Sequence, residues 1–379
     1  MPERDILIIG GGVIGLSIAY VLAREGVRAT VLDRGALGRE ASWAGAGMIP
    51  PHTERLTIHP TVDLRSWSAV LYPEWSAALR EETGIDNGYR RTGGVDVAFA
   101  AEEEQDLRSM AGRWKIEGIV YERLAPSDFA RVEPALSHDL RVAYFLPDRA
   151  QVRNPRHLRA LATASVKRGA TLRRGVAVEG FEILDHRITG VRTSEGLIAC
   201  GQVVVSAGAW TGALLGTIGI TAPTPPLRGQ IVLLKGDRPI LKRIVEHGSS
   251  YLVPREDGHI LIGSTEEDVG FDTSTTILGV RGLIDEAVRL CPALAATRVE
   301  KTWAGLRPGS IDSRPYIGPL PGFTNAFVAA GHKRAGIQLS PGTAEVMTDL
   351  VLGRPTQIDM SLFHIDRAPA VTGDQVFRS

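Results

Sequence analysis

Residues Ile6 to Ala23 form an uncharged run of eighteen. That length reaches the lower end of the membrane-spanning range. The run contains Gly10, Gly11 and Gly12 in succession, and each glycine costs roughly 1 kcal/mol relative to alanine inside a helix. The preceding MPERD sets Glu3 and Asp5 against Arg4, which is not the basic start of a signal peptide. Split at the glycines, the run reads as two elements. Ile6–Ile9 is the unbroken apolar stretch of a strand buried on both faces. From Val13 the pattern is helical and stops near Glu25, before the cap residue Gly26.

RATVLD (28–33) is a second apolar strand. Helical periodicity over 59–84 is expected to be interrupted near Pro73, and 93–100 reads as a strand followed by a helix. A strand is expected over 141–152. A helix follows over 154–169, with Asn154 as its cap and Pro155 at its first position. Strand patterns continue through 170–183, 186–194 and 196–210, then 228–234, 250–257 and 258–265, with hairpin breaks at Gly236 and Asp257-Gly258. A helix near 276–290, strands at 297–305 and 325–331, and a helix from Gly336 to Leu352 complete the pattern. Parallel-type strands with helices thus recur at both ends and around 154–215, while antiparallel-looking strands occupy 85–150 and 220–310. Two interleaved domains are expected.

Composition narrows the chemistry. The chain has 379 residues, enough for two domains, and its 43 basic residues balance its 43 acidic ones. No bulk field favours nucleic acid or a membrane surface. The two cysteines, Cys200 and Cys291, lie in no metal or redox spacing, and the nine histidines are scattered, so no metal site is expected. Neither a G-x-S-x-G elbow nor a phosphate-binding P-loop occurs. A cytoplasmic, soluble enzyme whose chemistry comes from a bound cofactor is expected.

The glycine spacing points to a dinucleotide. Gly10 permits a tight turn, Gly12 lets backbone approach a pyrophosphate, and Gly15 lets the helix sit close on the strand. Asp33, eighteen residues beyond Gly15, stands near the position of a ribose-binding carboxylate. This turn alone does not choose between NAD and FAD. Three further stretches suit an extended FAD. REASWAGAGMI (39–49) offers small residues for close backbone contact, VVVSAGAW (203–210) ends a buried strand, and NAFVAAGHKRAGIQLSPGTA (325–344) sets a glycine-flanked loop before a helix N-terminus.

Together these motifs, with LRGQ, YLVPR and WAGLRPGSIDSRPYIG, resemble the FAD-dependent D-amino acid and amine oxidoreductases, in particular the glycine oxidases associated with thiamine synthesis. The resemblance spans nearly the whole chain. It implies an α/β architecture (α+β overall), with a Rossmann-like FAD-binding domain (1–84, 151–220 and 311–379) interleaved with an antiparallel-sheet substrate domain (85–150 and 221–310). The cofactor contacts it implies are Gly10, Gly12, Val13, Ile14 and Gly15, then Asp33 and Arg34, then Ala41, Ser42, Ala46, Gly47 and Met48. Val178 and the trio Ala207, Gly208 and Trp210 follow, and the set closes with Gly331, His332, Arg334, Ala335, Gly336, Ile337 and Gln338. SRPYIG lacks the cysteine that sarcosine oxidases use, so the FAD is expected to be non-covalent.

By themselves Arg307 reads as a surface arginine before a turn in preference to a carboxylate binder, Tyr251 as a half-buried strand aromatic and Arg334 as a helix-entry charge. The resemblance implies instead that Arg307 and Tyr251 bind a substrate carboxylate, with Arg334 and Met48 near substrate and flavin. The implied reaction is oxidation of glycine, sarcosine or D-alanine to a 2-oxo acid, ammonia or amine, and hydrogen peroxide. The resemblance also implies molecular oxygen as the acceptor and a homo-oligomer, and it implies no general base. Two readings stay open beside it: a D-amino acid dehydrogenase passing electrons to a quinone or carrier, and a non-catalytic flavin-binding protein. Lys333 and Ala335 depart from the aromatic and Asn or Asp that relatives carry, and both bear on substrate range.

Overall fold

The computed structural model describes residues 5–53 and 58–369. Residues 1–4, 54–57 and 370–379, which the sequence reading assigns to the FAD-binding segments, lie outside the described residues. The opening apolar run divides at its glycines into a strand, Ile6–Ile9, and a helix, Val13–Arg24. No helix among the described residues is long and apolar enough to cross a membrane.

Ile6–Ile9 lies inside a six-stranded sheet. Across that sheet the strands run Tyr316–Pro319, Ala326–Ala330, Gln202–Val205, Ile6–Ile9, Ala29–Asp33 and Thr171–Arg174. All neighbours are parallel except the first two. Every residue of Ile6–Ile9 is buried, and each such side chain contributes about 1.5–3 kcal/mol of apolar transfer. On one side lie the helices Val13–Arg24, Pro60–Thr83, Asn154–Lys167 and Gly336–Val351, joined to the sheet in one apolar core. From Ile6–Ile9 the chain steps to Ala29–Asp33 on one side, whereas Gln202–Val205 occupies the other. Such a switch point opens a crevice at the carboxyl ends of the strands, and Gly10 stands in it.

A second, eight-stranded sheet has the order Arg298–Pro308, Pro226–Lys235, His259–Gly263, Ser250–Pro254, Ile244–His247, Gly94–Ala98, Val142–Leu146 and Glu122–Leu124. It is antiparallel except where Ile244–His247 meets Gly94–Ala98. Its own core includes Val95, Val232, Leu252 and Ile262, under the helix Ile277–Leu290. A three-stranded sheet, Val178–Leu184, Arg187–Thr193 and Gly196–Ala199, completes a mixed α/β fold.

Several boundaries differ from expectation, each for a local reason. The helix Pro60–Thr83 runs through Pro73 without a break, and that ring faces solvent, where it clashes with no packed neighbour. The single strand expected at 141–152 is two, Val142–Leu146 and Ala150–Gln151, divided at Pro147-Asp148. Left-handed Gly175 splits 170–183 between two sheets, and a turn at Cys200-Gly201 does the same to 196–210. Asn154 is not a cap: it lies in the first turn of its helix, with Arg153 preceding it, and its amide reaches elsewhere.

Candidate active site

A cavity of about 570 Å³ lies where the carboxyl ends of the parallel strands meet the face of the eight-stranded sheet. Its floor is the glycine turn. Gly10 has φ +108°, and a Cβ there would run into the Ser206 carbonyl; one at Gly15 would run into the Gly10 carbonyl. The helix can therefore approach the strand only because both are glycine. The helix begins at Gly12, which has no capping side chain of its own. Ser42 supplies one from twenty-nine residues away: its Oγ accepts from the Val13 amide at 2.9 Å. Among the described residues the amides of Gly12, Ile14 and Gly15 have no hydrogen-bond partner. Asp33 accepts from the amides of Gly11 and Gly35, each at 2.8 Å, which fixes its carboxylate at the cavity edge. Beside it the Arg34 guanidinium lies 3.6 Å over the Trp210 ring.

Donors from three other elements pin the segment 41–48, which sequence reasoning valued for its small residues. Asn154 donates to the carbonyls of Ser42 (2.8 Å) and Gly45 (2.9 Å), Trp303 to that of Ala44 (3.1 Å) and Arg255 to that of Ala46 (2.6 Å). Gly305 allows the approach, since a Cβ there would overlap Ala44. None of these four was assigned to the site by sequence. Arg255 and Trp303 stood inside YLVPR and WAGLRPG, which was the available signal; Asn154 was read as a cap.

The opposite wall holds Arg307 and Tyr251. Arg307 lies on the long strand Arg298–Pro308, not beyond it as expected. Its guanidinium crosses Gly229 on the neighbouring strand and donates to Ser264 Oγ (2.5 Å) and the Thr265 carbonyl (3.0 Å). Among the described residues no carboxylate pairs with it, and burial lowers its affinity for its proton. Tyr251 lies across Gly263 in the same manner, its hydroxyl without a hydrogen-bond partner among the described residues. A partly desolvated cation without a counter-ion is costly, and such a wall suits an anion.

Twenty of the expected cofactor contacts line this one cavity, as do Arg307 and Tyr251. Three do not: Gly15 serves helix packing, Gly331 (φ +72°) abuts the Tyr316 ring, and Ala335 is buried ahead of the helix Gly336–Val351. His332 lines the cavity as a neutral ring, since burial holds it down at about 3. Gln338 faces it with an Oε1 that is buried and unpartnered. Arg334 and Lys333 both pair with Glu266, at 3.0 and 3.2 Å. Neither cysteine lines the cavity.

A glycine turn at a strand switch point, free amides at a helix start and an unpartnered amide oxygen fit an extended dinucleotide with hydrogen-bonding edges. Fold and site together define a flavin-type oxidoreductase. Residues 5–350 match the model of the DAO family, FAD dependent oxidoreductase, and the chain belongs to that family, with FAD as its cofactor. It is 35% identical to a glycine oxidase of Pseudomonas putida over 94% of this chain and 97% of that one. It is 38% identical to a glycine oxidase of Pseudomonas aeruginosa over 95% and 97%. The crystal structure of glycine oxidase from Geobacillus kaustophilus superposes with a TM-score of 0.92 at 33% identity, covering 96% of this chain and 98% of that one.

Proposed function

We propose that this enzyme oxidises glycine and other small amines, such as sarcosine and D-alanine, to the 2-oxo acid. The observation that carries the reading is Arg307, a half-buried guanidinium without a carboxylate partner among the described residues, facing the same cavity as the FAD-binding turn. Guanidinium and carboxylate match in a two-point contact, and the Tyr251 hydroxyl supplies a further donor. Bound FAD supplies the two-electron acceptor. This chain's residues bind the carboxylate, orient the α-carbon and exclude water; holding the reacting groups in place accounts for much of the rate. The overall balance is amino acid, oxygen and water giving 2-oxo acid, hydrogen peroxide and ammonia, or methylamine from sarcosine, with no side chain required as a base.

Met48 and Arg334 border the substrate end of the cavity in this reading, and the other contacts expected from sequence hold the cofactor. The division into FAD-binding and substrate domains is supported by sheet membership. All strands of the six-stranded sheet come from the first set of segments and all those of the eight-stranded sheet from the second. In this reading the enzyme is a cytoplasmic homo-oligomer whose product supplies thiamine synthesis, a role in keeping with the 34% identity to a bifunctional ThiO/ThiG protein of Trichormus variabilis. Anaerobic mixing with glycine, sarcosine or D-alanine should bleach the flavin, and air should restore it with one peroxide per turnover. Arg307→Ala should raise the KM for these substrates by roughly a hundredfold, the worth of about 3 kcal/mol of charge-assisted contact. An unchanged KM would remove Arg307 from the site. Bleaching with slow reoxidation in air would mark a dehydrogenase, and no bleaching a binding protein.

A further inference from the structure

The segment Ser264–Glu266 joins two cationic centres. Ser264 and Thr265 hold the Arg307 guanidinium, and the next residue, Glu266, holds Lys333 and Arg334. The backbone closes the same circuit, since the Lys333 amide donates to the Pro308 carbonyl, next to Arg307, at 2.8 Å. The segment is stiff. Glu267 accepts from Thr265 Oγ1, from Gln230 and from the buried Arg228, and Arg228 also pairs with Asp272. All three cations line the cavity.

Their charge does not balance. Three cations face one carboxylate, Glu266, whose own acidity is strengthened by Arg334 and Lys333 although burial opposes it. The carboxylates that line the cavity itself are engaged or border other parts of it. Glu246, on a strand four places from that of Arg307 in the sheet, pairs with Arg149. Asp33, Glu40 and Glu179 border the glycine turn and Val178 instead. One substrate carboxylate on Arg307 leaves one positive charge in excess. Arg334 spends only its Nε on Glu266, and its two terminal nitrogens make no hydrogen bond among the described residues.

We propose that Lys333 and Arg334 form a second anion subsite, so that the preferred substrates are small amines carrying a second carboxylate a few bonds from the first. This rests on the amine-oxidising reading and names its substrate class. A compact dianion spans Arg307 and the Lys333–Arg334 pair and neutralises the end of the cavity. A chain with one carboxylate leaves the second pair facing solvent.

Binding and turnover separate the two claims. The FAD-loaded protein is titrated calorimetrically with thiodiacetate, which has two carboxylates and no amine to oxidise, and with methylthioacetate, its one-carboxylate counterpart. Thiodiacetate should bind at least about tenfold more tightly, as one added charge-assisted contact implies. Lys333→Asn removes one charge at a left-handed position (φ +45°) that asparagine tolerates, and should cut the preference below about threefold. Equal affinity for the two ligands in the wild type, or equal weakening of both in the variant, overturns the subsite. In turnover, iminodiacetate should give a kcat/KM at least about tenfold above N-ethylglycine. If no amine bleaches the flavin, the oxidase reading falls while the two titrations still decide the subsite.

Discussion

Tyr251 and Arg307 reach the cavity over glycines, which ties their placement to residues that carry no chemistry. A Cβ on Gly263 would overlap the Tyr251 ring and hydroxyl, and one on Gly229 would overlap the Arg307 guanidinium. Gly263→Ala should therefore displace the phenol from its resting place. The KM for glycine should rise roughly tenfold, the worth of about 1.5 kcal/mol for one hydrogen bond to a charged group. FAD affinity should hold, because the flavin-facing turn is untouched. An unchanged KM would mean that Tyr251 contributes nothing to carboxylate binding. Gly10, Gly12 and Gly15 were legible from spacing alone, because a fixed backbone task recurs at a fixed interval. Gly229 and Gly263 were not, since their necessity arises from side chains brought over them by neighbouring strands.

Among the elements, the helix Val13–Arg24 depends on a cap it does not carry. Ser42 supplies it, while Asn154, Trp303 and Arg255 hold the carbonyls around Ser42. Ser42→Ala should cost about 1 kcal/mol, the usual worth of a hydroxyl cap. Loosening of the turn should also weaken FAD binding by roughly fivefold, the same energy converted, read by fluorescence on reconstituting the apoprotein. If FAD affinity is unaffected while stability falls, the cap serves the helix alone. Sequence showed the helix and the small-residue segment as separate elements, and their contact depends on the fold. Asn154 illustrates the limit: Asn before Pro is the signature of a cap, yet its amide bridges two carbonyls more than a hundred residues earlier.

For the whole molecule, acid should be more damaging than base at equal distance from neutrality. His157 and His332 are fully enclosed, and burial holds their rings down at about 4 and about 3. The unfolded chain takes up these protons below about pH 6.5, and the folded protein does not until far lower. Each ring therefore removes roughly 1.4 kcal/mol of stability per pH unit as pH falls from 6.5 toward its folded value. His247, raised by Glu286 and Glu103, acts in the other sense: its contribution is present below about 6.5 and is lost as pH rises through its folded value. In urea unfolding of the holoprotein between pH 6.5 and 5, His157→Gln should reduce the pH slope by about one proton. An identical slope would place the acid sensitivity elsewhere. None of this was visible in nine scattered histidines, because burial is a property of packing. Sequence alone determined the cofactor turn, the central strand and most helices, since spacing and periodicity are local. The motifs also named Arg307 and Tyr251. Only tertiary structure decided that Arg307 lacks a counter-ion, that Lys333 and Arg334 share one carboxylate, and that three distant side chains hold the segment beside the flavin turn. Charge balance and hydrogen-bond closure are sums over neighbours in space.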